Sequence, residues 1–333
     1  MVNLYFASIA DVDDIMNFIH TNWKKNHILS QNKDFFLYEF QDGNRINFVC
    51  HRDHNNKLDG ILGFIKSSTD NSDVWTVTWK ALSNNEHPML GIELFNFLRN
   101  SKDYKCLLSI GINIKTIAIY SYLELYTNFL RQFFLINNNL EKFNIATVLD
   151  QKYLKTTNFN KNNEYKLKPL KEEEVLFDFE TYKENIPYKD KNYFNKRYFR
   201  HPINIYSVYG IFKNSKIDAL LVIRASSVNS SKVLRIVDFI GEQRGFQFIT
   251  HDLYKKITNE NYEYIDFMCF GFDESLLLKA GFQELNIDVN DLILPNYFSP
   301  YISENTQINF CVDTKQLNKV RICKADGDQD RPS

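Results

Sequence analysis

The chain contains CLLSIGI at Cys106–Ile112 and YIDFMCF at Tyr264–Phe270, two short apolar stretches that each predict a buried β-strand. A polar turn and a short helical stretch follow each of them. In the first copy the turn and helix carry four residues at helical spacing: Asn113, Thr116, Ile119 and Tyr120. The second copy ends on Ala280-Gly281-Phe282. Because the same order recurs about 160 residues later, too far for a solenoid repeat, the sequence predicts two related domains.

The composition is that of a globular protein with large cores. The chain has 333 residues, of which 44% are hydrophobic, with 28 Phe and 19 Tyr. This length fits two domains of ordinary size better than one. The formal net charge of -1 gives no basic footprint for duplex nucleic acid. We therefore expect small-molecule partners, and the composition leaves open whether the protein is a monomer or a dimer.

The sequence gives no signal for a membrane or for export. No apolar run reaches the roughly 18 residues that span a bilayer, and the chain begins without a basic segment followed by an apolar one. We therefore expect a cytoplasmic protein. Five widely spaced cysteines without a C-x-x-C pair favour buried thiols over disulfides or a zinc site. His51 and His54 lie in a polar turn without a third ligand in sequence reach, so we expect no metal.

The predicted elements form two sets, each with the strands and helices of an α/β (α+β) domain. Helices are predicted over six stretches: Asp11–Trp23, Leu90–Arg99, Thr116–Leu125, Glu173–Lys183, Phe246–Thr258 and Glu274–Ala280. The first domain is expected at 1–150 and the second at 173–323. Residues 151–172 are polar and rich in lysine, which is typical of a linker. Residues 324–333 are charged and poor in apolar side chains, which predicts a disordered tail.

A glycine-containing junction precedes one helix in each set. The first junction is Glu86-His-Pro-Met-Leu-Gly91, and the second is Gly241-Glu-Gln-Arg-Gly245. Small residues at a helix start let phosphate oxygens approach the free backbone N–H groups. Both junctions are therefore candidate phosphate sites, although many helices that bind no phosphate also follow a glycine.

Three side chains are candidates for acid–base chemistry. Tyr120 is a candidate general acid, with packing in an aromatic core as the alternative. His87 lies at the first junction, where it is either a general base or a plain loop residue. Asp238 lies in the apolar stretch Arg235–Gly241, and a carboxylate there needs a partner. It is therefore either a catalytic and substrate-binding residue or half of a structural ion pair with an arginine.

The segment at 193–202, YFNKRYFRHP, is the densest mixture of cations and aromatic rings in the chain. Guanidinium groups bind phosphates in a bidentate manner, and aromatic rings stack on bases. The segment is therefore a candidate nucleotide diphosphate site, with a solvated helix face over buried rings as the alternative. The candidate substrate-binding residues are Arg197, Tyr198, Arg200, Trp79 and Asp238.

Six stretches, taken in order, resemble the bacterial tandem nucleotide-sugar N-acyltransferases of the GCN5-related N-acetyltransferase (GNAT) superfamily, most closely the FdhC type: Trp75–Trp79, Pro88–Gly91, Arg197–Pro202, Tyr206–Gly210, Arg235–Gly241 and Ala280–Phe282. The resemblance covers about residues 1–315. It implies two tandem GNAT-like domains, each a mixed, mostly antiparallel twisted sheet flanked by helices. It also implies transfer of a 3-hydroxybutyryl group from CoA to the C-3 amine of a dTDP-3-amino-3,6-dideoxyhexose (dTDP-Fuc3N or dTDP-Qui3N), for surface polysaccharide such as O-antigen.

The same resemblance implies where the acyl-CoA cosubstrate binds. In that superfamily an asparagine and a tyrosine on the helix after the fifth strand tether CoA and protonate its thiolate, and the spacing of Asn113 and Tyr120 matches. The corresponding position of the second domain is Leu277, which has no proton to give. We therefore expect 3-hydroxybutyryl-CoA or acetyl-CoA in the first domain and no covalently bound cofactor. The residues expected to hold it are Leu82, Met89, Leu90, Gly91, Ile92 and Asn113.

Two other functions stay open at the level of the sequence. Tandem GNAT domains also transfer aminoacyl groups from tRNA to cell-wall precursors, or acyl groups to antibiotic amines. The first of these predicts an added helical arm and a basic face, and the sequence shows neither. A noncatalytic ligand-binding protein built from degenerate domains is the second alternative.

Overall fold

The computed structural model describes residues 3–69, 73–82, 87–101, 104–155, 159–160 and 162–332. Its helices are short and lie between strands. They are α1 (Val12–Phe18), α2 (Ile28–Gln31), α3 (Lys33–Phe40), α4 (Leu90–Arg99), α5 (Ile117–Tyr122), α6 (Lys191–Tyr198), α7 (Phe246–Asn259) and α8 (Glu274–Lys279). A π-helical turn, Ile19–Trp23, continues α1. No described helix has both the length and the apolar character needed to cross a bilayer.

Two large sheets organise the chain. The first contains β1 (Leu4–Ser8), β2 (Gln41–Asp42), β3 (Arg45–Arg52), β4 (Leu58–Lys66), β5 (Val74–Ala81), β6 (Leu107–Ile110), β7 (Tyr126–Phe129) and β19 (Asn309–Val312). The second contains β8 (Arg131–Ile136), β10 (Tyr165–Pro169), β11 (Ser207–Lys213), β12 (Lys216–Val228), β13 (Ser231–Gly241), β14 (Tyr264–Phe270), β15 (Gln283–Glu284) and β20 (Ile322–Cys323). Two small ribbons pair β9 (Thr147–Val148) with β16 (Leu292–Ile293) and β17 (Tyr297–Phe298) with β18 (Tyr301–Ile302).

The two sheets follow one plan, which confirms the predicted fold class of two mixed, mostly antiparallel sheets flanked by helices. The strand order is β1-β3-β4-β5-β6-β19-β7 in the first and β10-β11-β12-β13-β14-β8-β15 in the second. Each sheet has one parallel pair, β5 with β6 and β13 with β14, and the other described pairs of both sheets are antiparallel. We call each sheet with its helices a domain.

The domains exchange one strand each, so the predicted boundary at residue 150 does not follow the sheets. Strand β8, from the first half of the sequence, lies between β14 and β15 of the second sheet. Strand β19, from the second half, lies between β6 and β7 of the first sheet. Backbone pairing is largely independent of side-chain identity, so nothing local in either strand indicates its sheet. The predicted linker also contains a strand, β10, at the edge of the second sheet.

The C-terminal residues 324–332 are packed rather than disordered, which corrects the prediction from composition. Lys324 and Asp326 are buried, and Ala325 belongs to the core beside α6. Three charged residues of the segment form ion pairs: Asp326 with Lys189, Asp330 with Arg224, and Arg331 with Glu39. From composition alone these three charges are expected to lie in solvent, but in the folded chain each has an oppositely charged partner.

Both sheets are covered by helices on each face. Helices α4 and α5 bury Leu94, Phe95 and Tyr120 on one face of the first sheet, and α1 and α3 cover the other face around Trp75. In the second sheet α7 and α8 cover one face, and α6 lies on the other. The predicted helix at Glu173–Lys183 is instead two short 3-10 turns, Glu172–Glu174 and Phe179–Tyr182.

Candidate functional site

The parallel strands of each sheet stop pairing halfway along, next to a bulge. Strand β5 pairs with β6 from Val74 to Thr76 and then continues to Ala81 paired with β4 but not with β6. The bulge on β5 is Thr78, whose φ of 44° is left-handed. In the second sheet β13 pairs with β14 from Leu234 to Ile236 and then continues to Gly241 paired with β12 but not with β14. Each domain therefore has a break in its sheet beside a helix N-terminus.

In the first domain three of the predicted site residues meet on the α4 side of this break. The indole of Trp79 stacks on Phe95 at 5.3 Å and donates a hydrogen bond to the carbonyl oxygen of Gly91 at 3.1 Å. The ring of Tyr120 lies 6.0 Å from that of Trp79. A Cβ on Gly91 would make only ordinary contacts, the nearest at 3.7 Å, so packing alone does not demand glycine there.

The surroundings of the Tyr120 hydroxyl favour its protonated form. It is 4% exposed, and its hydroxyl is hydrogen-bonded to Ser109. Burial raises the pKa of Tyr120 above its ordinary value, with a smaller contribution from Cys311 in the same direction. The group is therefore protonated at neutral pH, as a general acid requires. Its burial equally fits the packing alternative.

The other predicted residues of the first junction have varied surroundings. Leu90 is buried against the sheet and Ile92 is partly buried, whereas Met89 is 51% exposed at the helix start. Asn113 is exposed and caps a 3-10 turn by accepting from the Lys115 N–H at 2.9 Å. The N–H of Leu82 is used in the sheet, donating to Asp59.

His87 packs against a buried histidine–carboxylate pair. Its ring lies 5.2 Å from that of His51, whose Nδ1 is 2.6 Å from Asp59 Oδ1. Both members of that pair are buried. His51 was predicted as a turn residue but lies within β3. Glu86, at the start of the same junction, lies outside the described residues.

The second domain has a cavity of about 530 Å³ at its junction. It is lined by the loop after β13, the first turn of α8 and three cations, Arg244, Lys279 and Arg321. Gly241, at the end of β13, has a φ of 131°, and a Cβ there would lie 2.5 Å from the Cα of Ala219. Only glycine fits this position.

The cavity that we call the central cavity lies between the two domains and measures about 320 Å³. It is bounded by α3, β3 and β4 of the first domain, by α6 of the second, and by the C-terminal segment. Its cations are Lys66, Lys196, Arg197 and Arg331, and its acids are Glu39 and Asp42. The excess of cations suits an anionic ligand.

Several residues that line the central cavity carry a buried polar atom without a partner. Among the described residues, five lining side chains have a buried atom that makes no hydrogen bond: Glu39 Oε1, Asn47 Oδ1, the Tyr193 hydroxyl, Arg197 Nε and Arg331 Nη1. Buried polar atoms are satisfied in the great majority of cases. A set of two acceptors, two donors and one hydroxyl around one cavity therefore indicates a polar ligand.

A second cavity, which we call the bulge cavity, shares the residues Glu39, Ile65 and Arg331 with the central one and measures about 340 Å³. It extends along the Trp75 side of the first sheet to Thr78 on β5. Tyr297 and the C-terminal segment form its far wall. Together the two cavities reach from α6 to the bulge of the first domain, and the Glu39–Arg331 ion pair lines both of them.

Of the predicted substrate residues in the segment at 193–202, Arg197 lines the central cavity and the other two do not. Tyr198 is buried behind it and donates to Asp238 Oδ2 at 2.6 Å. Arg200 is exposed and paired with Glu172. The alternative of buried rings therefore holds for Tyr198, because its hydroxyl is used inside the core.

Asp238 is fully buried and lines neither the central cavity nor the bulge cavity, which favours the alternative of a structural ion pair. Lys189 Nζ lies 2.6 Å from Asp238 Oδ1. The expected structural ion pair therefore exists, but with a lysine. Arg235, the arginine nearest in sequence, instead pairs with Asp266.

Of the five lining residues with an unpartnered buried atom, sequence reasoning named Arg197 and missed the other four, namely Glu39, Asn47, Tyr193 and Arg331. Tyr193 lies in the segment that was singled out. Glu39 is the one acid in the apolar run at 35–40, FFLYEF, and a buried carboxylate is a signal that sequence analysis can use. Asn47 and Arg331 carry no local signal.

The chain has the fold of the GCN5-related N-acetyltransferases. It is similar to a GCN5-related N-acetyltransferase from Anabaena variabilis, with 9% identity over 94% of this chain and 72% of the other and a TM-score of 0.55. It is also similar to a conserved protein from Enterococcus faecalis described as a "probable N-acyltransferase", with 7% identity over 93% and 72% and a TM-score of 0.55. Neither a protein-family model nor a curated protein matches the sequence.

Proposed function

We propose that the protein is an acyl-CoA-dependent N-acyltransferase whose acceptor is an anionic amine bound in the central cavity. The observation that carries this proposal is a cation-rich cavity between two GNAT-fold domains, five of whose lining residues have an unpartnered buried polar atom. The GNAT fold is the support for acyl-CoA as the donor, and the cation-rich central cavity is the support for an anionic amine as the acceptor.

The acyl-CoA binds in the first domain, with its phosphates at the N-terminus of α4 beside Gly91. The acceptor amine attacks the thioester carbonyl carbon, and a C–N bond forms. The tetrahedral intermediate then collapses, the C–S bond breaks, and the departing thiolate takes a proton from Tyr120. The proton released by the amine passes to solvent. No covalent enzyme intermediate is needed.

The acceptor that we propose is a dTDP-3-amino-3,6-dideoxyhexose, and the group transferred to its C-3 amine is 3-hydroxybutyryl, for surface polysaccharide. Arg197, Lys196 and Arg331 supply charge for a diphosphate, and Tyr38 and Tyr193 supply aromatic surface. Both cavities fall within the size range of small-molecule sites. The resemblance of the sequence to the FdhC type supports this choice of sugar and acyl group.

One observation favours a different location for the donor. The junction cavity of the second domain is larger than the central cavity and has Arg244, Lys279 and Arg321 in its wall. These cations suit the phosphates of CoA equally well. Leu277 argues against a donor site in the second domain. It occupies the position predicted for the general acid on α8, has no proton to give and is 1% exposed.

The test is acyl transfer by the purified protein. Acetyl-CoA or 3-hydroxybutyryl-CoA is mixed with each dTDP-3-amino-3,6-dideoxyhexose, free thiol is followed, and the sugar product is weighed by mass spectrometry. Sugar-dependent thiol release with the matching mass gain supports the proposal. Binding of CoA without transfer to any of these sugars overturns the acceptor, and a protein that binds no CoA overturns the whole proposal. Aminoacyl-tRNA and antibiotic amines are offered in parallel.

A further inference from the structure

The wall between the two cavities is a buried ion pair that joins distant parts of the chain. Arg331 Nε donates to Glu39 Oε2 at 2.8 Å. The side chains are 8% and 3% exposed, respectively. Both residues line the central cavity and the bulge cavity. A ligand in either cavity therefore meets the same carboxylate and the same guanidinium.

Each partner of this pair keeps one atom unused. Glu39 Oε1 and Arg331 Nη1 are buried and make no hydrogen bond within the described ranges. The ring nitrogen nearest to Glu39 Oε1, His201 Nε2, lies 3.7 Å away, which is beyond hydrogen-bonding distance. An unmet acceptor on a carboxylate beside an unmet donor on a guanidinium matches a ligand that presents a cationic N–H next to an oxygen.

The neighbouring groups keep Glu39 charged and leave it free for a cation. Burial by itself would raise the pKa of Glu39, but the charges of Arg331 and Arg197 hold it below the usual range. Burial lowers the pKa of His201 to about 3, so its ring is neutral and does not compete for the carboxylate. Tyr193 and Lys196 are the other titratable groups nearby on α6.

We infer that Glu39 and Arg331 select the amine of the acceptor. Glu39 Oε1 accepts from the ammonium of the bound acceptor, and Arg331 Nη1 donates to the oxygen on the adjacent carbon. The ammonium then loses one proton to solvent, and the neutral amine attacks. The pair is a specificity and positioning element rather than a catalytic base, and it presents the amine to the bulge cavity that leads to Thr78. This inference rests on the proposed function, since it assumes that the central cavity holds the acceptor.

The test compares two ligands that differ only in the group that Glu39 recognises. Calorimetry measures the affinity of the full-length protein for dTDP-3-amino-3,6-dideoxyglucose and for the same nucleotide sugar with a hydroxyl at C-3. The wild-type protein is expected to prefer the amine by about 10- to 100-fold, the range for a hydrogen bond to a charged group. Glu39→Gln is expected to remove this preference and leave the hydroxyl sugar's affinity within about twofold.

Two further variants separate recognition from folding. The double variant Glu39→Gln with Arg331→Met removes both charges at once and is expected to lose the preference without leaving an unpaired charge. Asp313→Asn is the control, because Asp313 also forms a carboxylate–arginine pair, with Arg99, and lines neither cavity. It is expected to keep the full preference.

The outcomes distinguish this inference from the proposed function. Equal losses for both sugars in Glu39→Gln, an unchanged preference, or no preference in the wild-type protein each overturn the inference. Amine-selective binding without transfer from any acyl-CoA overturns the transferase proposal and leaves the recognition of the amine intact. Transfer with an unaltered amine preference in Glu39→Gln overturns the inference alone.

Discussion

The ammonium of Lys189 lies 2.6 Å from Oδ1 of Asp238, with both side chains nearly fully buried. The same ammonium lies 2.8 Å from Asp326 in the C-terminal segment. Tyr198 donates to the second oxygen of Asp238. Asp238 therefore joins β13 to α6 and, through Lys189, to the C-terminal segment, which are the contacts of a structural residue.

Replacing Asp238 by Asn tests this structural role. The change leaves the buried Lys189 with one carboxylate, and breaking a buried pair costs about 3 kcal/mol or more. Urea unfolding is expected to show this loss. Asp13→Asn is the control, because the Lys33–Asp13 pair is exposed and worth less than about 1 kcal/mol. If Asp238→Asn kept full stability but lost acyl transfer, a catalytic role would instead be assigned to Asp238.

Replacing Tyr120 by Phe removes the proposed acid. Loss of general-acid catalysis is expected to lower kcat by about 10²- to 10⁴-fold, while the affinity for acyl-CoA stays within about twofold. Losing the hydrogen bond to Ser109 costs only about 1 kcal/mol of stability. Thiol release at saturating acyl-CoA measures the effect. Tyr122→Phe, on the same helix but 79% exposed, is expected to retain wild-type turnover; equal rates for both variants would assign Tyr120 to packing alone.

The location of acyl-CoA is decided by changes at the two junctions. Gly91→Leu places a side chain at the start of α4 and is expected to weaken acyl-CoA binding at least about tenfold, because phosphates can no longer approach the backbone. Gly91→Ala controls for helix formation. Lys279→Ala, in the second-domain cavity, is expected to change the affinity by less than about twofold. Calorimetric titration with CoA gives the answer, and the reverse pattern would move the donor to the second domain.

Asp73 predicts a pH dependence of stability. It is 1% exposed, and burial raises its pKa from 3.8 to about 6 against the opposing effects of the Tyr188 N–H and Lys105. The folded protein therefore holds this proton up to about pH 6, while the unfolded chain loses it near pH 4. Since the folded state binds more protons in this window, Asp73 lowers stability as the pH rises from about 4 to 6.

Asp73→Asn is expected to remove this loss. Two pKa units correspond to roughly 3 kcal/mol, so the variant gains up to about that amount over the wild type at pH 7 and little at pH 4. The Asn oxygen can still accept from Tyr188, which donates to Asp73 at 2.8 Å. Urea unfolding of both proteins at the two pH values measures the difference. A gain that is equal at pH 4 and pH 7 would show that the charge of Asp73 is not the cause.

Local patterns predicted most of the helices and strands that build the first junction. The helix at Leu90–Arg99 has the predicted bounds, and α7 extends the prediction by one residue. These stretches alternate apolar and polar residues with the period of their own structure. The prediction failed at Glu173–Lys183, where an acidic start resembles a helix N-terminus but the apolar Val175 and Phe179 pack into the α6 core from two short 3-10 turns and the segment between them.

The sequence by itself determined the fold class and the duplication, because strand and helix periodicity and the repeated motif are local properties of the chain. Only the tertiary structure decided which sheet received β8 and β19, because backbone pairing carries little sequence information. The tertiary structure also formed the central cavity. Its ion pair joins Glu39 to Arg331, which lie 292 residues apart in the sequence. The burial of a charged C-terminal segment depends on partners such as Lys189 and Arg224, and no composition rule identifies partners that folding alone brings within reach.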